Sequence, residues 1–514
     1  MTEPWRGHHQ ESPPGQGGSP RSGDLSLTEP WRGHHQESPP GQGGSPRSGD
    51  LSLTRTDVAV VGGGLAGITA ALRLADAGRT VTLFEAKPWL GGLTHSFRRG
   101  ELDVDNGQHV FLRCCTAYRA LLDRLGVTEQ THLQDRLDIP VRQPGAGAAR
   151  LRRNGLPAPL HLGGALFGYG LLNPMQRLRF TRAALAMKAL DRGDPALDQR
   201  SFGDWLREQG QDAQTVRAMW DLVGLATLNV PADEASLALA AMVFQVGLLT
   251  DNDAADIGWS RVPLRRLHGD AGEQALAAAG ATVRTGTKVD AVLPGKNGFT
   301  LRVRDDEELI AKQVVLAVPP RAAHRLVPDI GTGPERLGTS PIVNVHLVVD
   351  RAVLDEPFVA GVGTPIQWVF DRTESSGLAA VRPGAQYLAV SLSAAAALVD
   401  LPVARLRELL FPDLEALFPG LAAATVVDFF VTRERTATFR GSPGSQEFRL
   451  PARTPVADLF LAGAWTDTGW PATMEGAVRS GDSAAVAALG ASTVDKRAGR
   501  PAGAGPQRRQ GVPA

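Results

Sequence analysis

The feature that most constrains the fold of this chain is a glycine-rich stretch at residues 57–87, which reads DVAVVGGGLAGITAALRLADAGRTVTLFEAK. Gly62, Gly64 and Gly67 form the pattern G-x-G-x-x-G between a short apolar run and a segment with apolar residues at helical spacing. In a strand–turn–helix unit the first glycine permits a tight turn, and the second lets the backbone approach a pyrophosphate. The third lets the helix pack closely on the strand. The pattern therefore predicts a dinucleotide-binding site.

The residues around this turn agree with that interpretation. A helix that begins near Leu65 and Ala66 directs its free N–H groups and the positive end of its dipole at the phosphates. Glu85, followed by Ala86, ends the second predicted strand 18 residues after Gly67. A carboxylate at that position accepts hydrogen bonds from the ribose hydroxyls of the nucleotide.

Two later glycine-containing segments favour FAD over a nicotinamide cofactor. Gly91 and Gly92 follow Glu85 closely and allow a second approach of backbone to the pyrophosphate. Residues 460–489 read FLAGAWTDTGWPATMEGAVRSGDSAAVAAL, which predicts a strand, a turn at Gly463 and a helix that begins near Met474. Asp467 is a candidate ligand for the ribityl or phosphate region. The N-terminus of the helix is expected to point at the isoalloxazine, where its dipole stabilises negative charge on the reduced ring.

Further buried-strand patterns, at residues 314–318 and 459–462, lie far apart in the sequence, and segments 201–249 and 401–418 are mostly helical in pattern. We therefore predict an α/β protein with a discontinuous Rossmann-like FAD-binding domain, drawn from residues 54–125, 260–330 and 455–490. An α+β substrate domain is inserted into it, from residues 126–259 and 331–454.

The two ends of the chain have a different composition. Residues 2–27 are repeated letter for letter at residues 28–53, and both copies are rich in Gly, Pro, Ser and Gln. Such segments cannot bury a core, so we predict a disordered leader over residues 1–53 and a disordered tail over residues 491–514.

Composition limits the partners and the location of the protein. Lys+Arg and Asp+Glu both number 54, which gives no electrostatic reason to expect a nucleic-acid partner. No apolar run reaches the roughly 18 residues that a spanning helix requires. We expect a cytoplasmic protein, with a peripheral position on the inner face of the membrane as an alternative. No Cys/His cluster has the spacing of metal ligands, so no metal is predicted.

From residue 57 to residue 489 the chain resembles the flavin amine oxidase and phytoene desaturase superfamily. The resemblance rests on the opening glycine pattern, on Gly91 and Gly92, on residues 105–109 (DNGQH), and on the closing stretch GAWTDTGWPATMEGAV. It implies that Val289, in GTKVDAVL, contacts the adenine. It also implies that the flavin lies beside four consecutive residues: Met474, Glu475, Gly476 and Ala477. Cys114 and Cys115 are both outside the C-terminal half, so we expect the FAD to be bound non-covalently.

Within the superfamily, residues 340–353 and 466–481 are similar to the squalene-associated desaturase-like flavoproteins of bacterial hopanoid synthesis. The resemblance implies reduction of hydroxysqualene, a long-chain isoprenoid, to squalene. Thr473 stands where amine oxidases have an aromatic residue, which argues against an amine substrate. No second G-x-G-x-x-G is present, so an external electron donor is expected. The alternatives are a carotenoid or squalene-type desaturase, and an isoprenoid-binding carrier without redox activity.

The sequence does not identify the acid that this reaction needs, and His109 and Asp221 are candidates by residue type only. The apolar stretch at residues 235–249 is expected either to line a substrate tunnel or to form core. Residues 163–188 mix apolar residues with Arg177, Arg179, Arg182 and Lys188. That mixture fits a helix on an anionic membrane surface, and a helix with a solvated basic face equally well.

Overall fold

The computed structural model describes residues 54–303 and 307–498. The predicted leader at residues 1–53 lies outside these ranges. Nineteen strands are present in the described part of the chain: β1 Thr54–Val61, β2 Val81–Phe84, β3 Ser96–Arg99, β4 Leu102–Asp105, β5 Val110–Leu112, β6 Thr131–Leu133, β7 Asp138–Arg142, β8 Ala149–Arg152, β9 Ile257–Ser260, β10 Thr282–Arg284, β11 Val289–Gly295, β12 Gly298–Val303, β13 Glu308–Leu316, β14 Thr339–Val349, β15 Phe358–Gly361, β16 Trp368–Asp371, β17 Gln386–Leu392, β18 Val426–Phe439 and β19 Leu459–Leu461.

The α-helices of the same ranges are α1 Leu65–Asp76, α2 Thr116–Leu125, α3 Gly163–Phe167, α4 Pro174–Lys188, α5 Phe202–Glu208, α6 Ala213–Thr215, α7 Asp221–Leu228, α8 Leu237–Phe244, α9 Ala271–Ala278, α10 Pro320–Leu326, α11 Leu378–Val381, α12 Val403–Leu417 and α13 Met474–Ala498. Helix α13 runs past residue 490, where the sequence analysis ends the cofactor domain. Residues 491–498, predicted as disordered tail, therefore belong to this helix, and residues 499–514 lie outside the described ranges.

The first sheet combines strands from three distant parts of the chain. Strands β10, β2, β1 and β13 are parallel neighbours in that order, and β19 pairs parallel with the C-terminal half of β13. The hairpin of β11 and β12 extends the sheet in antiparallel fashion. Residues of β1 such as Val58 and Val60 are completely buried, since helices cover a parallel sheet on its faces. This is the discontinuous Rossmann-like arrangement that the glycine pattern predicts.

The second sheet has the order β18-β14-β17-β16-β15-β7-β8. Its strands lie on both sides, in sequence, of the second segment of the first sheet (β10 to β13), because β7 and β8 precede β10 whereas β14 to β18 follow β13. Helix α12 covers one face, and its Leu406, Leu410 and Leu414 pack in one cluster with the strand residues Val345 and Leu347. The segments between the cofactor strands therefore build a separate layer.

Helix α8 and the π-helical turn after it, Gln245–Leu249, form part of the core. The residues of α8 from Leu239 to Phe244 are all buried, and Phe244 packs against Phe202 and Trp220 with ring centroids 5.5 and 4.9 Å away. Of the two readings that the sequence left open for residues 235–249, the structure supports core packing.

Candidate functional site

The glycine turn joins the end of β1 to the start of α1. Gly62 has φ +111°, a conformation that residues with a side chain rarely adopt. A Cβ atom on Gly67 would lie 1.9 Å from the Gly62 carbonyl oxygen, and one on Gly62 would lie 2.3 Å from the Ala317 carbonyl oxygen. The turn and the end of β13 are therefore in direct backbone contact, which only glycine permits.

The second glycine pair lies against the first. The Gly91 N–H donates to the Gly63 carbonyl oxygen at 2.8 Å, and a Cβ on Gly92 would lie 2.9 Å from the Gly64 Cα. Helix α1 begins after Gly64 with no side chain capping its first N–H groups and no acidic residue in its first turn. Such a helix end, with bare backbone on both sides, suits the two phosphates of a dinucleotide.

Glu85 lies beside the glycine turn, at the end of β2. Its carboxylate accepts hydrogen bonds from the Gly63 N–H at 2.7 Å and from the Lys87 N–H at 2.8 Å, which hold it at the carboxyl end of β2. The Thr287 N–H donates to the Glu85 carbonyl oxygen at 2.9 Å, so the chain that leads into β11 passes beside it. Val289 begins β11 and is buried, and Ala86 is exposed next to Glu85. Glu85 and Val289 as ribose and adenine contacts remain a prediction with this arrangement behind it.

Helix α13 runs parallel to α1, because both follow parallel strands of one sheet and pack in the same cluster. The two helices are in close contact, since a Cβ on Gly481 would lie 2.3 Å from the Ala66 carbonyl oxygen. Met474 precedes Gly481 by seven residues, whereas Leu65 precedes Ala66 by one. Helix α13 therefore begins more residues before this contact than α1 does. A cofactor path from phosphates at α1 toward the tip of α13 remains a prediction.

The residues at the tip of α13 have distinct roles. Thr473 is its N-cap, because the Thr473 Oγ1 accepts a hydrogen bond from the Gly476 N–H at 3.1 Å. A Cβ on Gly476 would lie 2.6 Å from the Pro471 carbonyl oxygen, so the loop folds tightly over the helix start. Met474 and Ala477 are partly exposed there, as a contact with a ring system requires.

The Glu475 side chain joins α13 to α2, and the position of Glu475 beside the flavin remains a prediction. Its side chain is 1% exposed, and its carboxylate accepts from the backbone N–H groups of Ala117 at 3.1 Å and Tyr118 at 2.7 Å. The Arg479 Nε–H donates to it at 2.7 Å. Glu475 therefore caps the first turn of α2 and ties it to α13, and its carboxylate is engaged within the protein rather than by a cofactor.

Asp467 as a ligand for the ribityl or phosphate region of the cofactor also remains a prediction. Its side chain is exposed, and it accepts a hydrogen bond from Gln446 Nε2 at 2.6 Å, while its N–H donates to the Leu450 carbonyl oxygen. Both partners precede β19 in the chain. Gly463, in contrast, lies at the base of α13 with φ +141°, and its N–H donates to Ser480 Oγ at 2.7 Å.

The loop between β19 and α13 is held by a residue that the sequence analysis missed. Arg449 is buried, and its guanidinium donates to the carbonyl oxygens of Thr466 at 2.6 Å and Trp470 at 2.7 Å. Burial lowers the pKa of Arg449 to about 10, which leaves it charged at neutral pH. No sequence pattern identifies this residue, because its partners are backbone carbonyl groups, which every residue has.

Residues 105–109 connect the two sheets. The Asp105 carboxylate is buried and accepts hydrogen bonds from Arg372 and from Ser96 Oγ, both at 2.6 Å. The Asn106 carbonyl oxygen accepts from Asn344 Nδ2 on β14 and from Thr432 Oγ1 on β18, both at 3.2 Å. The stretch is therefore fixed between the cofactor-binding segments and the strands of the second layer.

Several polar atoms at this junction have no hydrogen-bond partner among the described residues: His95 Nδ1, Gln108 Nε2 and Asn344 Oδ1. An unpaired buried polar atom costs about 1–3 kcal/mol, so a concentration of them is typical of a place that a ligand completes. His268 is linked to the tip of α13, because its Nε2 lies 2.8 Å from the Tyr118 hydroxyl and Tyr118 contacts Glu475. The glycine cradle, the start of α13 and this polar group together fit FAD.

The two candidate acids are in different surroundings. His109 lies at this junction, and its Nε2 is 3.4 Å from the place that a Cβ on Gly107 would occupy. Burial lowers the pKa of His109, whereas the charge of Asp105 acts to raise it. Asp221 begins α7 within the second layer, and burial raises its pKa to about 6, with a further contribution from Asp233. The described contacts do not bring the two side chains together.

Comparisons with known proteins show the family and the fold of the chain. The chain is 30% identical to hydroxysqualene dehydroxylase of Rhodopseudomonas palustris over 448 residues, which cover 84% of this chain and 98% of that protein. It is 26% identical to zeta-carotene desaturase of Synechocystis, with 84% and 97% of the two chains covered. A double mutant of putrescine oxidase superposes with a TM-score of 0.66 at 20% identity, over 85% of this chain and 99% of that one, which shows the shared fold.

Residues 65–489 match the family described as flavin containing amine oxidoreductase, and this range includes almost the whole described chain. The chain therefore belongs to the flavin containing amine oxidoreductase family and is an FAD-dependent oxidoreductase.

Proposed function

We propose that this protein reduces hydroxysqualene to squalene. The observation that carries the proposal is the similarity to hydroxysqualene dehydroxylase over 98% of that protein's length. Thr473 supports it, since this residue caps α13 where an amine oxidase has an aromatic wall, and the position offers no aromatic surface to an amine. The carrier alternative receives no support, because the compared proteins are named as enzymes.

The reaction breaks the carbinol C–O bond and forms a C–H bond at the same carbon, with loss of water. The substrate gains two electrons and two protons overall, so the cycle needs an external two-electron donor that regenerates the reduced cofactor. Reduced FAD supplies the hydride when it is bound. The protein must protonate the departing hydroxyl and keep bulk water away from the cationic carbon.

Two residues are proposed for the proton transfer, and their pKa shifts distinguish them. Asp221, with a pKa of about 6, keeps its proton in roughly a tenth of the molecules at pH 7, which suits a general acid. His109 has a lowered pKa and is therefore neutral at that pH, which suits a hydrogen-bond donor to the hydroxyl rather than an acid. His109 has the better position, because it lies in the polar junction described above.

A desaturase is the second candidate, and a specific observation favours it. Zeta-carotene desaturase is 26% identical over nearly its full length, which is only slightly less similar than the dehydroxylase. A desaturase runs the opposite redox direction on a polyene, with oxidised flavin as the acceptor. Both candidates require an isoprenoid substrate, so the direction of electron flow separates them.

The test is an anaerobic incubation of the purified protein, with its flavin chemically reduced, and hydroxysqualene. Squalene formation in proportion to enzyme flavin supports the proposal. A parallel incubation of the oxidised protein with phytoene and zeta-carotene checks the alternative. Unchanged hydroxysqualene together with desaturated carotene would overturn the proposal in favour of the desaturase.

A further inference from the structure

One region of the second layer has an unbalanced charge. Residues 139–190 contain eight Lys or Arg residues and no Asp or Glu, in a chain where the two signs are equal at 54 each. Arg150 and Arg153 form ion pairs with Asp138 and Asp256, which lie outside this segment. Three others make no ion pair within 4 Å among the described residues: Arg179, Arg182 and Lys188. All three are exposed.

The same region concentrates exposed apolar side chains. Thirteen large hydrophobic residues of the described chain are exposed, and six of them fall between residues 156 and 185. These six are Leu156 (51%), Leu160 (63%), Phe167 (82%), Met175 (54%), Leu178 (57%) and Leu185 (50%). Single exposed hydrophobic residues need no explanation, but a contiguous set marks an interaction surface.

Helix α4 carries the centre of this set. A capping box between Asn173 and Gln176 fixes its start. Met175, Leu178, Arg182 and Leu185 follow each other at helical spacing on the solvent side, whereas Ala183 and Met187 are buried on the opposite side. An ordinary surface helix is polar where it meets water, whereas α4 exposes apolar side chains there beside basic ones.

The other exposed apolar residues are connected to α4 through α3. The Arg177 guanidinium donates to the carbonyl oxygens of Phe167 and Tyr169, which fixes the end of α3 beside the first turns of α4. The Asn154 N–H donates to the His161 carbonyl oxygen at 2.8 Å, so the loop with Leu156 and Leu160 folds back against the start of α3. We call residues 156–188 the docking surface.

We propose that the docking surface binds an anionic lipid bilayer. Its apolar side chains enter the boundary between head groups and acyl chains, and its unpaired basic residues contact lipid phosphates. A second copy of the chain is a poor occupant, because a symmetric contact through this surface would oppose two basic clusters. This proposal does not depend on the proposed reduction of hydroxysqualene. A membrane position would, however, bring the protein to an isoprenoid substrate dissolved in the bilayer.

Sedimentation with vesicles tests the proposal on the full-length holoprotein. We expect stronger binding to phosphatidylcholine vesicles that contain phosphatidylglycerol than to pure phosphatidylcholine, and a loss of that difference at high salt. Leu178→Ser should weaken binding about tenfold. Leu409→Ser is its control, since Leu409 is an exposed leucine within α12. Arg182→Gln should weaken binding to the anionic vesicles about fivefold, whereas Arg405→Gln, a surface charge on α12, should not.

Two kinds of result would overturn the inference. One is an absence of vesicle binding at low salt, or binding that Leu178→Ser and Arg182→Gln leave unchanged. The other is a dimer in light scattering that Leu178→Ser converts to monomer, which would assign the surface to self-association. Flavin content is measured for every variant, so that loss of the fold is recognised separately from loss of lipid binding.

Discussion

Glu475 offers a sharp test of the packing between α13 and α2, because its buried carboxylate caps the first turn of α2. We consider Glu475→Gln, which keeps the shape of the side chain. One carboxylate oxygen accepts from the Ala117 N–H and from Arg479, and the other accepts from the Tyr118 N–H. The amide group replaces one of these acceptors with a donor, so a donor faces a donor whichever way the amide is turned.

The expected loss follows from these contacts. One buried backbone N–H is left unpaired, at about 1–3 kcal/mol, and the remaining hydrogen bonds lose the contribution of the charge, about 1 kcal/mol each. The sum is about 2–5 kcal/mol in the free energy of unfolding, a large part of the 5–15 kcal/mol that typical domains possess. Arg479 is 37% exposed on its side chain, so it can regain water and adds little to the loss.

The assay is urea denaturation of the FAD-saturated protein, followed by tryptophan fluorescence. Glu408→Ala is the control, because Glu408 is an exposed helical glutamate paired with Arg405 and should change stability by less than about 1 kcal/mol. FAD affinity, corrected for the folded fraction, should change little in Glu475→Gln. A variant as stable as the Glu408→Ala control but with much weaker flavin binding would refute the capping role.

Four further outcomes are expected. Gly67→Ala should lose bound flavin and fold poorly, because its Cβ would lie 1.9 Å from a backbone oxygen, whereas Gly155→Ala, with open space around it, should keep normal flavin absorbance. Glu85→Gln should weaken FAD binding about ten- to a hundredfold in equilibrium titration, and unchanged affinity would exclude it as the ribose ligand. The pKa of Asp221 is raised to about 6 in the folded protein, so the stability that its protonated form contributes is present at low pH and is lost as pH rises through 6. Asp221→Asn should therefore be more stable than the wild type between pH 5 and pH 8 in urea titrations. Deletion of residues 2–53 should leave flavin content and melting temperature unchanged, and a clear loss of either would give the leader a structural role.

The junction of the two sheets joins the cofactor-binding segments to the second layer. Residues 105–109 are hydrogen-bonded to β14 and β18 of the second layer and, through Ser96 and Leu264, to segments next to the second glycine pair. The unpaired polar atoms lie at this boundary. A ligand bound at the boundary therefore contacts both layers, and the buried Asp105–Arg372 pair keeps their relative position fixed.

The sequence by itself determined the cofactor cradle. The turn at Gly62, Gly64 and Gly67, the carboxylate of Glu85 and the start of α13 at Met474 all depend on local rules, because glycine conformation and helix ends are decided within a few residues. The parallel strands at residues 314–316 and 459–461 were predictable from their apolar runs for the same reason. Residues 235–249 stayed ambiguous, since a continuous apolar pattern does not distinguish core from tunnel wall.

Only the tertiary structure decided which distant groups meet. Glu475 caps a helix more than 350 positions earlier in the chain, Arg449 binds a loop through carbonyl groups, and Asn344 reaches Asn106 from another sheet. No pattern in the sequence marks these contacts, because the way in which two layers pack together depends on the volumes of many side chains at once. For α4, composition gave the mixture of apolar and basic residues, but only packing decided which apolar side chains remained in solvent.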